Sequence, residues 1–453
     1  MRTANVTCAV VIGLLLASCT PDESEPGQAA QDLQAGSFLG TKTITVNTGT
    51  STGAVMWGGI GFLYGLSESP NLNGYTLSDS MLTGLVHPQY TSQKAPWGAQ
   101  HPDGDALNTA VQFKRVGGRG VGIYVQDFYV GFPYPNNGLS SYLTNVVDPV
   151  TASVKADRNR TFMHYVPFNE PDWIWYATSG ARFTQFLADW KTTFNRIRTN
   201  DPGAKIAGPN FSHYDATAYR SFFTFAKANG VLPDIVTWHE LDGSLFNSWY
   251  SHYNDYRQIE SDLTLSRHEI FINEYARSSG DLAVPGNLVQ YLARFENSKV
   301  FGGLAFWHGI GNLDDLVANT NPSQSVPGSS LNTPDAAWYL YQWYGQMSGN
   351  TVDVVLPSLN GSLQALASRS GSTVKVIFGG ALGPSDTYDA QIVLTGLSGS
   401  SASYKVYSTD ESGTSPAAPP SVVKSGTATI SGGKTTISYT NAFAHSAYLL
   451  QLN

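Results

Sequence analysis

Cysteine is nearly absent from this chain. Of 453 residues only Cys8 and Cys19 are cysteine. Both lie in the first 19 residues, so nothing beyond them can form a disulfide or a thiolate metal site. Charge is scarce as well: Asp, Glu, Lys and Arg make up 13% of the sequence, against roughly a quarter in ordinary globular proteins. The net charge of −8 argues against nucleic acid or an anionic membrane surface as the main partner. The apolar run at 6–16 is too short to span a bilayer as a permanent helix. No His-Glu-x-x-His or comparable ligand spacing occurs, so neither a metal nor a cofactor is expected. Tandem repeats and long low-complexity tracts are also missing.

The beginning of the chain reads as an export signal. Arg2 precedes the apolar run, which ends in Leu16-Ala17-Ser18-Cys19. That tetrapeptide resembles the bacterial lipobox, which implies removal of residues 1–19 up to a lipidated Cys19 at the new N-terminus. The alternative is an ordinary signal peptide cut near Ala17 or Cys19. Residues 20–36 are polar, acidic and poor in large apolar groups, the composition of a flexible tether. The expected location is the bacterial cell surface or the secreted fraction, with the membrane reached only through the lipid on Cys19.

From about residue 55 to 349, short apolar runs alternate with helical patterns, which implies a parallel sheet with crossover helices. The strand candidates are 55–63, 82–87, 120–126, 161–168, 205–208, 234–238, 269–273 and 302–307. The clearest helix covers 181–199, where Phe183, Phe186, Leu187, Trp190, Phe194 and Ile197 recur at three- and four-residue spacing. Further helices are expected at 216–228, 288–295 and 335–347. Such units fit a (β/α)8 TIM barrel. Residues 88–105, rich in Pro, Gly, Gln and His, read as an active-site loop. Beyond 350 the pattern becomes short alternating runs separated by Gly, Ser and Pro, the signature of a C-terminal antiparallel β-sandwich over 350–453. Residues 42–46 alternate likewise, so 37–54 is expected to add a strand to that sandwich. The sandwich is read as a structural domain docked on the barrel, with a detachable sugar-binding module as the alternative.

Two segments carry the chemistry. Tyr165-Val166-Pro167-Phe168-Asn169-Glu170-Pro171 follows the fourth strand candidate, and Glu269-Ile270-Phe271-Ile272-Asn273-Glu274 forms the seventh. In such a barrel functional groups sit at the C-terminal strand ends, and strands four and seven face each other across the mouth. Two carboxyls facing one another across a sugar ring are the usual equipment for breaking a glycosidic bond.

Asn-Glu-Pro after strand four with a second Glu after strand seven resembles clan A of the retaining glycoside hydrolases, over residues 55–347. The resemblance implies Glu170 as acid/base and Glu274 as nucleophile, with carboxyls ~5–5.5 Å apart. It calls for a Glu170 pKa raised by burial or by the Glu274 charge. It also implies that Asn169 bonds the sugar 2-hydroxyl, that His239 after strand six orients the nucleophile, and that Trp307 after strand eight forms a sugar platform. Trp173 follows the acid on the same loop. Trp57, Tyr64, Trp97, His101, Tyr124 and Gln126 are further cleft candidates at early strand ends. Residues 101–105 (His-Pro-Asp-Gly-Asp) could hold calcium but read better as a turn. Ile206-Ala207-Gly208-Pro209 and the barrel-then-sandwich order are similar to family 39, which includes β-xylosidases. The strand-two Arg usual in the clan is not evident, so the resemblance does not carry xylose specificity. The expectation is a monomeric retaining glycosidase acting on an extracellular poly- or oligosaccharide. The alternative is a non-catalytic carbohydrate-binding lipoprotein.

Overall fold

Eight short parallel strands close into a barrel in the computed structural model of the chain. It describes residues 36–66, 77–101, 104–243, 245–277, 280–305, 313, 316–318, 333–380, 383 and 385–453. Cys8, Cys19 and Trp307 lie outside the described residues.

The chain enters through β1 (Phe38–Ala54), which belongs to the C-terminal sheet, and then builds the barrel. The order is β2 (Phe62–Leu63), α1 (Asp79–Thr83), β3 (Tyr90–Lys94), α2 (Ala106–Arg115), β4 (Gly120–Tyr124), α3 (Leu139–Tyr142), α4 (Asp148–Ala156) and β5 (Met163–Val166). It continues with α5 (Gly180–Asn200), β6 (Lys205–Phe211), α6 (Ala216–Asn229), β7 (Ile235–Glu240), α7 (Leu245–Asp262), β8 (Glu269–Tyr275), α8 (Pro285–Ser298) and β9 (Phe301–Ala305). Strand β9 pairs with β2 and closes the ring. A two-stranded ribbon, β10 (Val317–Ala318) with β11 (Thr333–Pro334), precedes α9 (Ala336–Gly345).

The helices form where the sequence supplies a buried stripe, and α2, α6 and α9 also have a side-chain cap. In α5 the buried residues are Phe183, Phe186, Asp189, Trp190, Thr193, Phe194 and Ile197, one face of a 3.6-residue repeat. It stops at Asp201, before Pro202, where helical geometry is disfavoured. Asp215 caps α6 through the Ala218 N–H, and Gly230 closes it at φ +68, the left-handed position that glycine tolerates. The barrel interior is packed at its N-terminal end. Tyr90, His164, Phe271 and Phe301 lie ring against ring. The Arg119 guanidinium lies over Tyr90 and Phe301 and pairs with Glu269. The open end is therefore the C-terminal one.

The remaining strands are β12 (Asn350–Val355), β13 (Leu363–Ser370), β14 (Thr373–Gly380), β15 (Thr387–Thr395), β16 (Ser401–Thr409), β17 (Ser421–Thr429), β18 (Thr435–Phe443) and β19 (Ala447–Leu452). With β1 they make one nine-stranded sheet in the order β17-β16-β19-β14-β13-β12-β1-β15-β18. Its inner side chains share one core, including Ile44, Phe378, Ile392, Val406 and Leu450. The opposite face is not free. Leu366, Ile377 and Leu449 join the barrel's core, and the Gly286 N–H at the start of α8 donates to the His445 carbonyl. That explains why β13 is buried without alternation from Leu363 to Ser368 and why α8 buries its polar residues Gln290, Arg294 and Glu296.

Three expectations need correction. Residues 82–87 are not strand two: Leu82 and Leu85 are buried from helix α1 and the turn after it. Strand two is β3, Tyr-Thr-Ser-Gln-Lys, inside the segment read as a loop. The C-terminal sheet is not wholly antiparallel, because β1 runs parallel to β15 while pairing antiparallel with β12.

Candidate active site

Glu170 and Glu274 reach the same pocket from different strands. Glu170 follows β5 in the left-handed region at φ +45, a strained conformation for a non-glycine residue and more so before proline. Its N–H donates to the Asn210 carbonyl at 3.0 Å, which fixes that conformation to the end of β6. Glu274 is turned inward by a bulge. Thr237 pairs with Phe271, but the next pair is His239 with Glu274, so β8 carries one extra residue there. A period-two strand with Phe271 inward would otherwise bring Asn273, not Glu274, level with His239.

The three side chains are buried, with Glu170 8%, Glu274 4% and His239 0% exposed. One carboxylate oxygen of each glutamate and a ring nitrogen of His239 lie within 4.8 Å of one another. His239 Nδ1 is 3.1 Å from Glu170 Oε1, and its Nε2 is 3.5 Å from Glu274 Oε1. Tyr124 donates its hydroxyl to Glu274 Oε1 at 3.1 Å, and the Trp173 indole N–H donates to Glu170 Oε2 at 2.8 Å. Tyr64, Gln100, His101, Phe132, Asn169, Glu170, Leu241 and Glu274 line a cavity of about 410 Å³, a size suited to a small ligand.

A second layer of polar groups holds Asn169. Its backbone N–H donates to Gln126 Oε1 at 2.6 Å, its side-chain Oδ1 accepts from Asn210 Nδ2 at 3.0 Å, and its Nδ2 donates to the Tyr134 hydroxyl at 3.3 Å. Asp127 anchors this layer by accepting from Tyr134 at 2.6 Å and Tyr64 at 2.9 Å. Fully buried, it is pushed up to about 8. Burial outweighs the two hydroxyl donors, and the Glu274 charge adds to it. Burial also holds the Tyr64, Tyr124 and Tyr134 hydroxyls far above ordinary phenols, so they remain donors.

The charge pattern differs from the one the resemblance calls for. Burial does raise Glu170, but the hydrogen bond and positive charge of His239 and the Trp173 N–H outweigh it, and the carboxyl sits below its ordinary value. His239 moves the other way. Burial opposes its charge, but Glu274 and Glu170 on either side raise it above an ordinary imidazole. Both directions favour a charged imidazole beside the Glu170 carboxylate, and the two groups titrate as a unit.

The other candidates divide. Tyr124 touches Glu274, and Gln126 stands behind Asn169 rather than in the cavity. His101 lines the cavity against the Tyr64 ring at 4.2 Å and is pushed down to about 4 by burial and by Lys94. Trp57 is misassigned. It lies at the closed end before β2, stacked on His87 at 3.7 Å, with its N–H on the Met347 carbonyl. Trp97 is exposed on the loop after β3. Asp105 caps α2 through the Leu107 N–H. Glu240 accepts from Trp238 and lies 2.9 Å from His252 Nδ1, without lining the cavity. Sequence reasoning missed Asp127, Tyr134 and Asn210. Asp127 alone carried a readable signal, an acid just past the apolar run of strand β4.

No protein-family model matches the chain. It is 30% identical over 439 residues, 84% of its length, to the 3-O-α-D-galactosyl-α-L-arabinofuranosidase of Bifidobacterium longum subsp. longum. It is 31% identical over 413 residues, 78% of its length, to the 3-O-β-L-arabinopyranosyl-α-L-arabinofuranosidase of Bifidobacterium pseudocatenulatum. It spans only 36% and 40% of those relatives' own lengths. Among solved structures, the N2152 protein of Neocallimastix frontalis superposes with a TM-score of 0.79 at 29% identity, covering 91% of this chain and 99% of that one. A family 39 glycoside hydrolase from Xanthomonas axonopodis pv. citri superposes with a TM-score of 0.57 at 12% identity, covering 92% and 98%. The chain is thus a homologue of glycoside hydrolases, with arabinofuranosidases as its curated relatives and a barrel-and-sheet fold matching family 39.

Proposed function

We propose that this chain is a retaining glycoside hydrolase that cleaves α-L-arabinofuranosyl linkages in an extracellular poly- or oligosaccharide. The observation that carries the reading is the pair of buried glutamates, one carboxylate oxygen of each within 4.8 Å of the other, short of the roughly 6.5–9.5 Å between carboxyls that an inverting enzyme needs for an intervening water. The substrate follows from the two curated relatives, whose names specify α-L-arabinofuranosidases acting on 3-O-glycosylated residues.

In the first step Glu274 attacks the anomeric carbon, the bond to the leaving oxygen breaks, and that oxygen takes a proton from Glu170. The proton is supplied along the 3.1 Å contact from His239 Nδ1, so the trio begins with one proton on the imidazole and gives it up through the carboxyl. In the second step water attacks the glycosyl ester, its proton passes to Glu170 and back to His239, and Glu274 is released. Asn169, held by Gln126, Asn210 and Tyr134, is positioned to bond the sugar hydroxyl beside the reacting carbon. Tyr124 orients the nucleophile. The reading requires no cofactor. A lipid anchor at Cys19 would hold the enzyme at the cell surface.

The test is hydrolysis of 4-nitrophenyl α-L-arabinofuranoside. Glu274→Ala is expected to be inactive. Glu170→Ala is expected to be slow and to be rescued by azide, which needs no deprotonation. Unchanged turnover in Glu274→Ala would remove the assignment.

A further inference from the structure

Each oxygen of the Glu170 carboxyl has a ring nitrogen at hydrogen-bond distance in the free site, and His239 Nδ1 is a donor when the imidazole is protonated. His239 Nδ1 faces Oε1 at 3.1 Å, and the Trp173 indole N–H faces Oε2 at 2.8 Å. Such donors hold a carboxyl toward the carboxylate, because an N–H bonds more strongly to a charged oxygen than to a neutral one. His239 can resolve this by handing over its own proton. Trp173 cannot, because an indole N–H does not dissociate. The carboxyl is therefore protonated more readily once that donor turns away.

Trp173 is built for such a movement. Its backbone is fixed, since the Trp173 and Ile174 N–H groups both donate to the Glu170 carbonyl, at 3.3 and 3.2 Å. Trp175, two residues on, is buried with its N–H on the Tyr134 carbonyl. The Trp173 side chain is instead 47% exposed, edge-on to an equally exposed Phe132 at 5.7 Å. Phe132 also lines the cavity that holds both glutamates. Two exposed aromatic rings beside the acid are a contact surface for the sugar that leaves, since such rings suit the C–H faces of sugars.

We propose that Trp173 is a positioning residue for Glu170: its indole N–H holds the carboxyl unprotonated while the leaving-group side is empty, and a leaving-group sugar seated on Trp173 and Phe132 turns that donor away. The other titratable groups facing Glu170 are His239 from β7, Glu274 from β8 and His213 after β6, with Asp172 beside His213. None of these takes the place of the donor on Oε2.

The inference rests on the glycosidase reading for its role in catalysis, but the hold itself is measurable without turnover. The Glu170 carboxyl is followed by ¹³C NMR titration in the full chain, assigned by the signal lost in Glu170→Gln, and compared with Trp173→Phe. The phenylalanine keeps a ring and the backbone turn but has no N–H. The Glu170 midpoint is expected to rise by about one pH unit. An unchanged or lower midpoint overturns the proposal, whatever the substrate proves to be. In kinetics, the ratio of kcat/KM for 4-nitrophenyl over phenyl α-L-arabinofuranoside is expected to fall in Trp173→Phe, because only the poorer leaving group gains from a more readily protonated acid. A purely structural role would lower both rates together. A rise in the ratio would overturn the proposal, while no turnover of either substrate by wild type would count against the glycosidase reading alone.

Discussion

Replacing Asp127 by Asn tests the electrostatics of the site through stability. Asp127 is fully buried behind the cavity between two tyrosine hydroxyls and is pushed up to about 8, from an ordinary value of 3.8. Between those limits the folded chain keeps a proton that the unfolded chain has lost. Its contribution to stability is therefore complete below the ordinary value and is lost as pH rises through about 8. The loss runs at about 1.4 kcal/mol per pH unit. Asparagine has the same shape and does not titrate. Asp127→Asn should thus gain on wild type by roughly 1 kcal/mol for each unit between pH 5 and pH 8, then level off. Urea unfolding of both proteins at pH 5, 6, 7, 8 and 9 measures the difference. A constant difference would mean that Asp127 is ionised throughout, and a difference that shrinks with pH would reverse the argument. Near neutrality the variant should keep its activity, because it replaces a carboxyl that is already uncharged.

Two further substitutions probe other parts of the account. Tyr124→Phe removes the 3.1 Å hydrogen bond to Glu274; a buried bond to a charged group is worth about 1.5–3 kcal/mol. A fall in kcat/KM of at least about tenfold is expected with little change in thermal midpoint, and an unaffected rate would show that the hydroxyl does not orient the nucleophile. Gly286→Ala tests whether the sheet is part of the structure or a detachable module. An added Cβ would meet the Ala444 carbonyl oxygen at 2.2 Å, so helix and sheet must separate. A drop of about 1–3 °C in Tm is expected from a cost on the order of 1–3 kcal/mol. A midpoint equal to wild type would speak for a loosely attached sheet.

The paired glutamates were legible because parallel strands buried on both faces read as apolar runs, and a carboxyl at the end of such a run has few places to go but the barrel mouth. Strand β3 was illegible for the complementary reason. Ser92, Gln93 and Lys94 are buried against other polar groups near the mouth, with the Gln93 amide on Thr91 and the Tyr64 carbonyl and Lys94 on the His101 carbonyl. No apolar pattern survives there, while the apolar 82–87 segment mimicked a strand. The parallel pairing of β1 with β15 joins segments too distant for any local pattern to report. The charge state of Glu170 was beyond sequence too. Both glutamates and His239 could be named, but not that the imidazole stands between the carboxyls or that the Trp173 N–H closes the second oxygen.

The central claim is that Glu274 attacks the sugar while Glu170 stands opposite. Incubation with 2,4-dinitrophenyl 2-deoxy-2-fluoro-α-L-arabinofuranoside, followed by intact-mass and peptide mass spectrometry, tests it directly. The account predicts one added fluoro-sugar, on the peptide containing Glu274, and none in Glu274→Ala. A label on Glu170, or release of a sugar of inverted configuration from a natural substrate, would contradict it.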